Sequence, residues 1–155
     1  MNTDANAGLS DSAHGNTAMP LGIAPRCCLE LDFSRKSASA LAAPWGGAPG
    51  CVALLQPGAL VLHYAPQRWL LIADENAHAE AARDSGAVVF DVTGKWRIRR
   101  LPCATGVEWL SAALCLPAIL EGRGCAAVTL FDVPGVIAHL RSSDEYLICT
   151  HASYA

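Results

Sequence analysis

The chain has 155 residues, of which 52% are hydrophobic and only 16% charged, with a formal net charge of −3 and a pI near 5.9. That length carries one domain with a real core and excludes two comfortable ones. An acidic chain without a broad basic surface excludes nucleic-acid binding driven by bulk charge. The charged fraction falls well below the roughly one quarter usual for a soluble domain, which favours burial of apolar surface against partner subunits.

Residues 1–20, MNTDANAGLSDSAHGNTAMP, are small, polar and aperiodic, so a disordered arm is expected, followed by a single domain over 21–155. No Lys or Arg precedes Arg26 and no apolar core of a signal peptide is visible, which makes the cytoplasm the default location. A short strand is expected at Cys28–Phe33, then an Ala/Ser/Gly/Pro connection around Trp45. A large aromatic in such a loop is either an anchor folded over the domain edge or a contact for another chain. The charge-free stretch from Ser37 to Gln67 is broken by Pro44, Gly46, Gly47, Pro49, Gly50, Pro57 and Gly58, so it predicts no membrane span.

From Cys51, three apolar runs separated by Pro57-Gly58 and Ala65-Pro66-Gln67 predict consecutive antiparallel strands. Asp74 is placed to cap a helix, ENAHAEAARD, that Ser85-Gly86 ends. AVVFDV is a strand, Thr93-Gly94 a turn, and KWRIRRL the next strand, which packs four of the eleven cationic residues into six positions. Alternation sends Trp96 and Ile98 one way and Lys95, Arg97 and Arg99 the other. Arg100 falls on the apolar face, so the strand is expected to end or bulge there. Thr105 and Glu108 have capping-box spacing at the start of a helix whose stripe is Val107, Leu110 and Leu114, with Pro117 as its stop. A meander closes the chain: GCAAVTLF turns through Val133-Pro134-Gly135 into VIAHLR, and that through Ser142–Asp144 into EYLICTHAS. The expected fold class is α+β, an antiparallel sheet with about two helices on one face.

The chemistry-bearing residues are sparse in pattern. Seven cysteines without a secretory signal are expected to be reduced thiols. No C-x-x-C or H-x-x-x-H pair exists, so no zinc site is expected, and Cys103, Cys115, Cys125 and Cys149 fit small buried hydrophobes. The vicinal pair Cys27-Cys28 is the one thiol feature that stands out. His78 is expected to be exposed and His139 to be a strand residue facing solvent or a partner. Without a G-x-G-x-x-G loop, the residues themselves predict no catalytic, cofactor-binding or metal site.

Four segments in order carry a resemblance: APQRWLLIA, FDVTGKWRIRRL, the helix ending EWLSA, and GRGCAAVTLFDVPGVIAHLRSSDEYLICTHASYA. Over about residues 50 to 155 the chain resembles the gamma subunit of heterotetrameric sarcosine oxidase. The carriers are Ala65-Pro66-Gln67-Arg68-Trp69-Leu70-Leu71, Asp91-Val92-Thr93 and Ser153-Tyr154-Ala155. That subunit is similar in turn to the folate-binding aminomethyltransferase domain of the glycine cleavage system, which implies a folate-domain-like fold. Two departures remove the enzymatic expectation. Cys103-Ala104-Thr105-Gly106 stands where the aminomethyltransferase has Gly-x-Asp-Ala, and the strand Val136–Leu140 has no carboxylate, only His139. The resemblance therefore implies a non-catalytic accessory subunit of a flavin-dependent N-methyl amino acid oxidase or dehydrogenase. Its complex delivers the one-carbon unit to tetrahydrofolate, with alpha, beta and delta subunits as partners and FAD, FMN, NAD, tetrahydrofolate and zinc held there. The basic run is then either a solvated face or a docking edge, with Trp45, Lys95, Arg97 and Arg99 as the partner interface. A stand-alone folate-binding one-carbon transfer domain is the alternative, and a generic interaction module the third reading.

Overall fold

The computed structural model describes residues 26–36, 41, 45–55, 58–74, 76, 78–112 and 119–154; the expected arm over 1–20, Leu114, Cys115 and Pro117 lie outside them. The strands are β1 (Cys27–Asp32), β2 (Val52–Leu55), β3 (Ala59–Ala65), β4 (Arg68–Ala73), β5 (Val88–Asp91), β6 (Trp96–Pro102), β7 (Cys125–Leu130), β8 (Val133–Leu140) and β9 (Glu145–His151). Helix α1 (His78–Asp84) lies between β4 and β5, and α2 (Cys103–Ser111) follows β6 directly. Two short 3-10 turns, Thr93–Lys95 and Ala152–Tyr154, pack beside each other. No helix among the described residues is long and apolar enough to cross a membrane.

The strands form two antiparallel sheets, with orders β2-β3-β4-β1-β5 and β6-β9-β8-β7. Their sequences are apolar on both faces, and that decides the layering. Leu60, Leu62, Leu70 and Cys28 meet Trp96, Val136, Leu147 and Cys149 between the sheets. The opposite face of the first sheet, with Leu31, Phe33, Trp69 and Leu71, is covered by Ala79 and Ala82 of α1 and by Trp45. The opposite face of the second, with Ile137, Tyr146 and Ile148, is covered by Leu110 of α2. The expectation of one sheet with two helices on one face is thereby corrected. Each sheet presents a second apolar face, each needs its own cover, and the helices lie on opposite outer faces. Fully burying a Leu, Val or Ile side chain contributes about 1.5–3 kcal/mol, so a bare sheet face of this composition would be strongly unfavourable.

Asp91-Val92-Thr93 performs the change of sheet. Asp91 accepts from the Thr93 N–H at 3.0 Å and from its hydroxyl at 2.7 Å. The Cys28 N–H donates to Thr93 Oγ1 at 3.0 Å, and the Val92 N–H to the Cys28 carbonyl at 2.9 Å. These bonds finish the β5–β1 ladder and send the chain into β6.

Three local expectations give way to geometry. β6 neither ends nor bulges at Arg100; its pairing with β9 runs unbroken from Trp96↔His151 to Pro102↔Glu145. The capping box does not form, because α2 begins at Cys103, two residues before Thr105, with Pro102 as an extended N-cap that has no side-chain bond. Instead the Cys103 N–H donates to the Asp144 carbonyl at 2.9 Å, and the Thr105 hydroxyl donates back to the Pro102 carbonyl at 3.2 Å. The β7–β8 turn falls at Phe131-Asp132, with φ of 47° and 67°, while Val133-Pro134-Gly135 belongs to β8. Pro134 faces Thr129 of β7 but lies past the end of the β9 ladder, which starts at Gly135, so its missing N–H costs no ladder bond there. Gly135 is a close approach, since a Cβ there would stand 2.6 Å from the Cys149 carbonyl oxygen.

Candidate functional site: a cationic cleft between the sheet ends

The four cations of KWRIRR go to four different places. Lys95 sits in the 3-10 turn and reaches the other sheet, where its Nζ lies 3.6 Å from Glu30. Glu30 also accepts from the Tyr64 hydroxyl at 2.8 Å and faces Arg68 at 3.6 Å, while Asp32 pairs with Arg68 at 3.3 Å. Burial, and then the Glu30 carboxylate, raise the Tyr64 phenol above its ordinary range. Arg97 donates to the Trp96 carbonyl at 3.1 Å. Arg99 has its Nε and Nη1 sealed from solvent with no hydrogen-bond partner, and burial lowers its pKa. Arg100 pairs with Glu145 at 3.3 Å. Trp45, the fourth residue of the expected interface, keeps 3% of its surface and packs on Phe33 at 5.9 Å, itself edge-on to Trp69 at 4.9 Å. It acts as the anchor of the α1-side core and offers a second chain almost no ring surface. Lys95, Arg97, Arg99 and Trp45 therefore do not form one patch.

The concentrated positive charge lies elsewhere. A cleft of about 640 Å³ opens where the loop before β2, the loop before β7 and the β8–β9 turn converge. Arg100, Arg123 and Arg141 line it together with Ser142 and Ser143, and no carboxylate residue is among its lining. Val52, Leu54 and Leu60 line it as well, and main-chain bonds tie its loops together. The N–H groups of Gly124 and Cys125 donate to the Gly50 carbonyl at 2.7 and 3.0 Å, and the His139 N–H to the Gly124 carbonyl at 2.7 Å. Gly50, at φ 102°, lets the Arg123 stem lie against the backbone, because a Cβ would meet the Arg123 Cγ at 2.9 Å. Arg123 and Arg141 suit bidentate capture of carboxylates, while Arg100 beside them is already paired with Glu145. Arg100 was visible in the sequence as the misfit on an apolar face. Arg123 and Arg141, isolated in turns, join it only through the strand order.

The thiols divide by environment. Cys27 faces the α1-side core and Cys28 the space between the sheets. Burial raises the Cys27 thiol and pushes Cys28 up to about 12, and it does the same to Cys125. These thiols stay protonated at neutral pH and behave as packing atoms. Burial, and then its hydrogen bond to the Asp144 carboxylate, raise the Cys103 thiol too, but its surroundings differ: its Sγ, a ring nitrogen of His139 and a carboxylate oxygen of Asp144 all lie within 4.8 Å of one another. Spacing rules miss this cluster because its members are far apart in sequence. The signal is the ladder order β6-β9-β8, which brings the end of β6, the β8–β9 turn and the end of β8 together.

No protein-family model matches the sequence, and no curated protein matches it significantly. Among solved structures, the fold is similar to a chain of the heterotetrameric sarcosine oxidase from Corynebacterium sp. U-96 in complex with pyrrole 2-carboxylate. The TM-score is 0.60 and the identity 23%, covering 83% of this chain and 72% of that one. The chain thus has a fold like that of a subunit of this oxidase.

Proposed function

We propose that the protein is a gamma-type, non-catalytic subunit of a multi-subunit, flavin-dependent oxidase or dehydrogenase of sarcosine or a similar N-methyl amino acid. FAD, FMN, NAD, tetrahydrofolate and zinc belong to its alpha, beta and delta partners, with the one-carbon unit passing to the folate. The observation that carries this reading is the likeness in fold, over 83% of the chain, to a chain of a heterotetrameric oxidase. The order of APQRWLLIA, FDVTGKWRIRRL and the terminal Ser-Tyr-Ala supports it, as does the low charged fraction of 16%. The cationic cleft is the docking surface in this account. An acidic segment of a larger subunit places carboxylates against Arg123 and Arg141, which have no ion pair among the described residues.

A second reading rests on the same cleft. At about 640 Å³ and with three arginines, it has the size and charge for a folate, whose glutamate tail is anionic, which keeps a stand-alone folate-binding one-carbon domain in view. Co-expression with the alpha, beta and delta oxidase subunits of the same organism separates the two. Stoichiometric co-purification with the oxidase supports the subunit. Failure to associate, together with tetrahydrofolate binding by the isolated chain, overturns it in favour of the second reading.

A further inference from the structure

The β8–β9 turn and the first residue of α2 bring together three side chains of different donor chemistry. Cys103 opens α2, His139 lies in β8 one position before its last residue, and Asp144 immediately precedes β9. Main-chain bonds fix the convergence. The Cys103 N–H donates to the Asp144 carbonyl at 2.9 Å, Pro102 pairs with Glu145 on the β6–β9 ladder, and His139 pairs with Tyr146 on the β8–β9 ladder. The donor atoms are mutually within 4.8 Å. His139 Nε2 is buried and has no hydrogen-bond partner, leaving an imidazole nitrogen with unused bonding capacity. Cys103 and His139 are partly buried while Asp144 is exposed, so the cluster is open to solvent on one side.

We propose that Cys103, His139 and Asp144 form a three-ligand site for a divalent transition metal of the Zn²⁺ class, with a fourth position open to water. The donor set selects the ion. Mg²⁺ and Ca²⁺ take oxygen ligands almost exclusively, whereas one thiolate, one imidazole and one carboxylate suit Zn²⁺, which accepts all three. Donor atoms on one tetrahedral zinc stand roughly 3.5 Å apart, so the cluster closes onto an ion by side-chain rotations of about 1 Å. On binding, the Cys103 thiol releases its proton to solvent as the sulfur–metal bond forms, and no electrons are exchanged. His139 also lines the cationic cleft, so a bound ion adds positive charge at the rim of the arginine surface. The site does not depend on the subunit reading, because its ligands all come from this chain.

The test uses the full chain, stripped with a chelator and titrated with Co²⁺, then with Zn²⁺. One Co²⁺ per chain is expected, with a thiolate-to-cobalt charge-transfer band and the strong visible bands of a four-coordinate ion; added Zn²⁺ removes them. Cys103→Ala should abolish the charge-transfer band. His139→Gln and Asp144→Asn should each weaken Co²⁺ binding by more than about 100-fold, beyond the roughly 10- to 100-fold that losing a hydrogen-bond partner of a ligand costs. No charge-transfer band in the wild type overturns the proposal, and so does a band that survives Cys103→Ala. If Cys103→Ala fails to fold, Asp144→Asn decides, since Asn tolerates the φ of 53° at that turn. Unchanged Co²⁺ affinity in that variant refutes the site.

Discussion

Replacing Glu30 with Ala should destabilise the chain by about 2–5 kcal/mol. Its carboxylate is the common acceptor of the Tyr64 hydroxyl at 2.8 Å, Arg68 at 3.6 Å and Lys95 at 3.6 Å, and it joins the two sheets through the turn before β6. A hydrogen bond to a charged group contributes about 1.5–3 kcal/mol. Each partly exposed ion pair adds roughly 0.2–1 kcal/mol. For a chain of this size, 1 kcal/mol shifts the midpoint by about 2–4 °C, so the expected fall is roughly 4–20 °C. Urea denaturation at low and high salt separates the two contributions. The ion-pair part shrinks on screening while the Tyr64 part persists. Glu30→Gln, which keeps an acceptor for Tyr64 but loses the charge, should cost less than Glu30→Ala. A double-mutant cycle with Tyr64→Phe should give a coupling of about 0.5–3 kcal/mol, the range for residues in one network. A loss below about 0.5 kcal/mol for Glu30→Ala, typical of plain surface changes, would refute this reasoning. Lys95→Glu would then be free to act on assembly alone; with the hub intact it sets a second carboxylate against Glu30 and weakens the fold itself.

Arg99→Met should leave the isolated chain more stable by about 1 kcal/mol, because it removes a buried, unsatisfied donor pair while keeping the stem; a comparable loss in a urea melt means the guanidinium has a partner. Thr105→Ala should change stability by less than about 0.5 kcal/mol, since the exposed hydroxyl only donates back to the carbonyl of Pro102, the residue before the helix; a loss near 1 kcal/mol would restore its role as a cap. His63 is buried flat against Trp69, with ring centroids 3.9 Å apart, and burial holds its pKa below the ordinary 6.5. Its folded value lies below its unfolded one, so its contribution is complete above pH 6.5 and is lost as pH falls from there toward the folded pKa. Melting curves across that window should fall toward acid for the wild type and flatten in His63→Phe; parallel curves for the two would exclude His63 as the cause.

Short apolar runs bounded by turn residues made most strands legible, and the turn chemistry of Ala65-Pro66-Gln67 and Ser142–Asp144 placed their ends closely. What such runs could not show is how many sheets the strands form. A strand buried on both faces, such as β3 or β9, looks the same whether a helix or a second sheet covers it. The misplaced cap has a similar origin: Thr-x-x-Glu spacing is local, whereas the start of α2 is set by Pro102 and by a hydrogen bond to Asp144, far along the chain. The destinations of the basic run were hidden for a third reason. A charge pattern on one strand says which face a side chain leaves, but Lys95 is claimed by Glu30 of the other sheet, and Arg100 joins Arg123 and Arg141 at a cleft built from three loops. Cys103, His139 and Asp144 are likewise brought together by strand order alone.

The most direct test of the central claim is a binding titration of this chain against the assembled alpha, beta and delta oxidase subunits at low and high salt. Wild type is compared with the Arg123→Glu, Arg141→Glu double variant, whose side chains line the cleft. Breaking a desolvated charge pair costs about 2–5 kcal/mol, so the variant should bind at least about tenfold more weakly at low salt, and high salt should restore part of that loss. Wild-type association with an unchanged affinity for the variant at both salts would contradict docking through the cleft, and no association of the wild type at all would contradict the subunit itself.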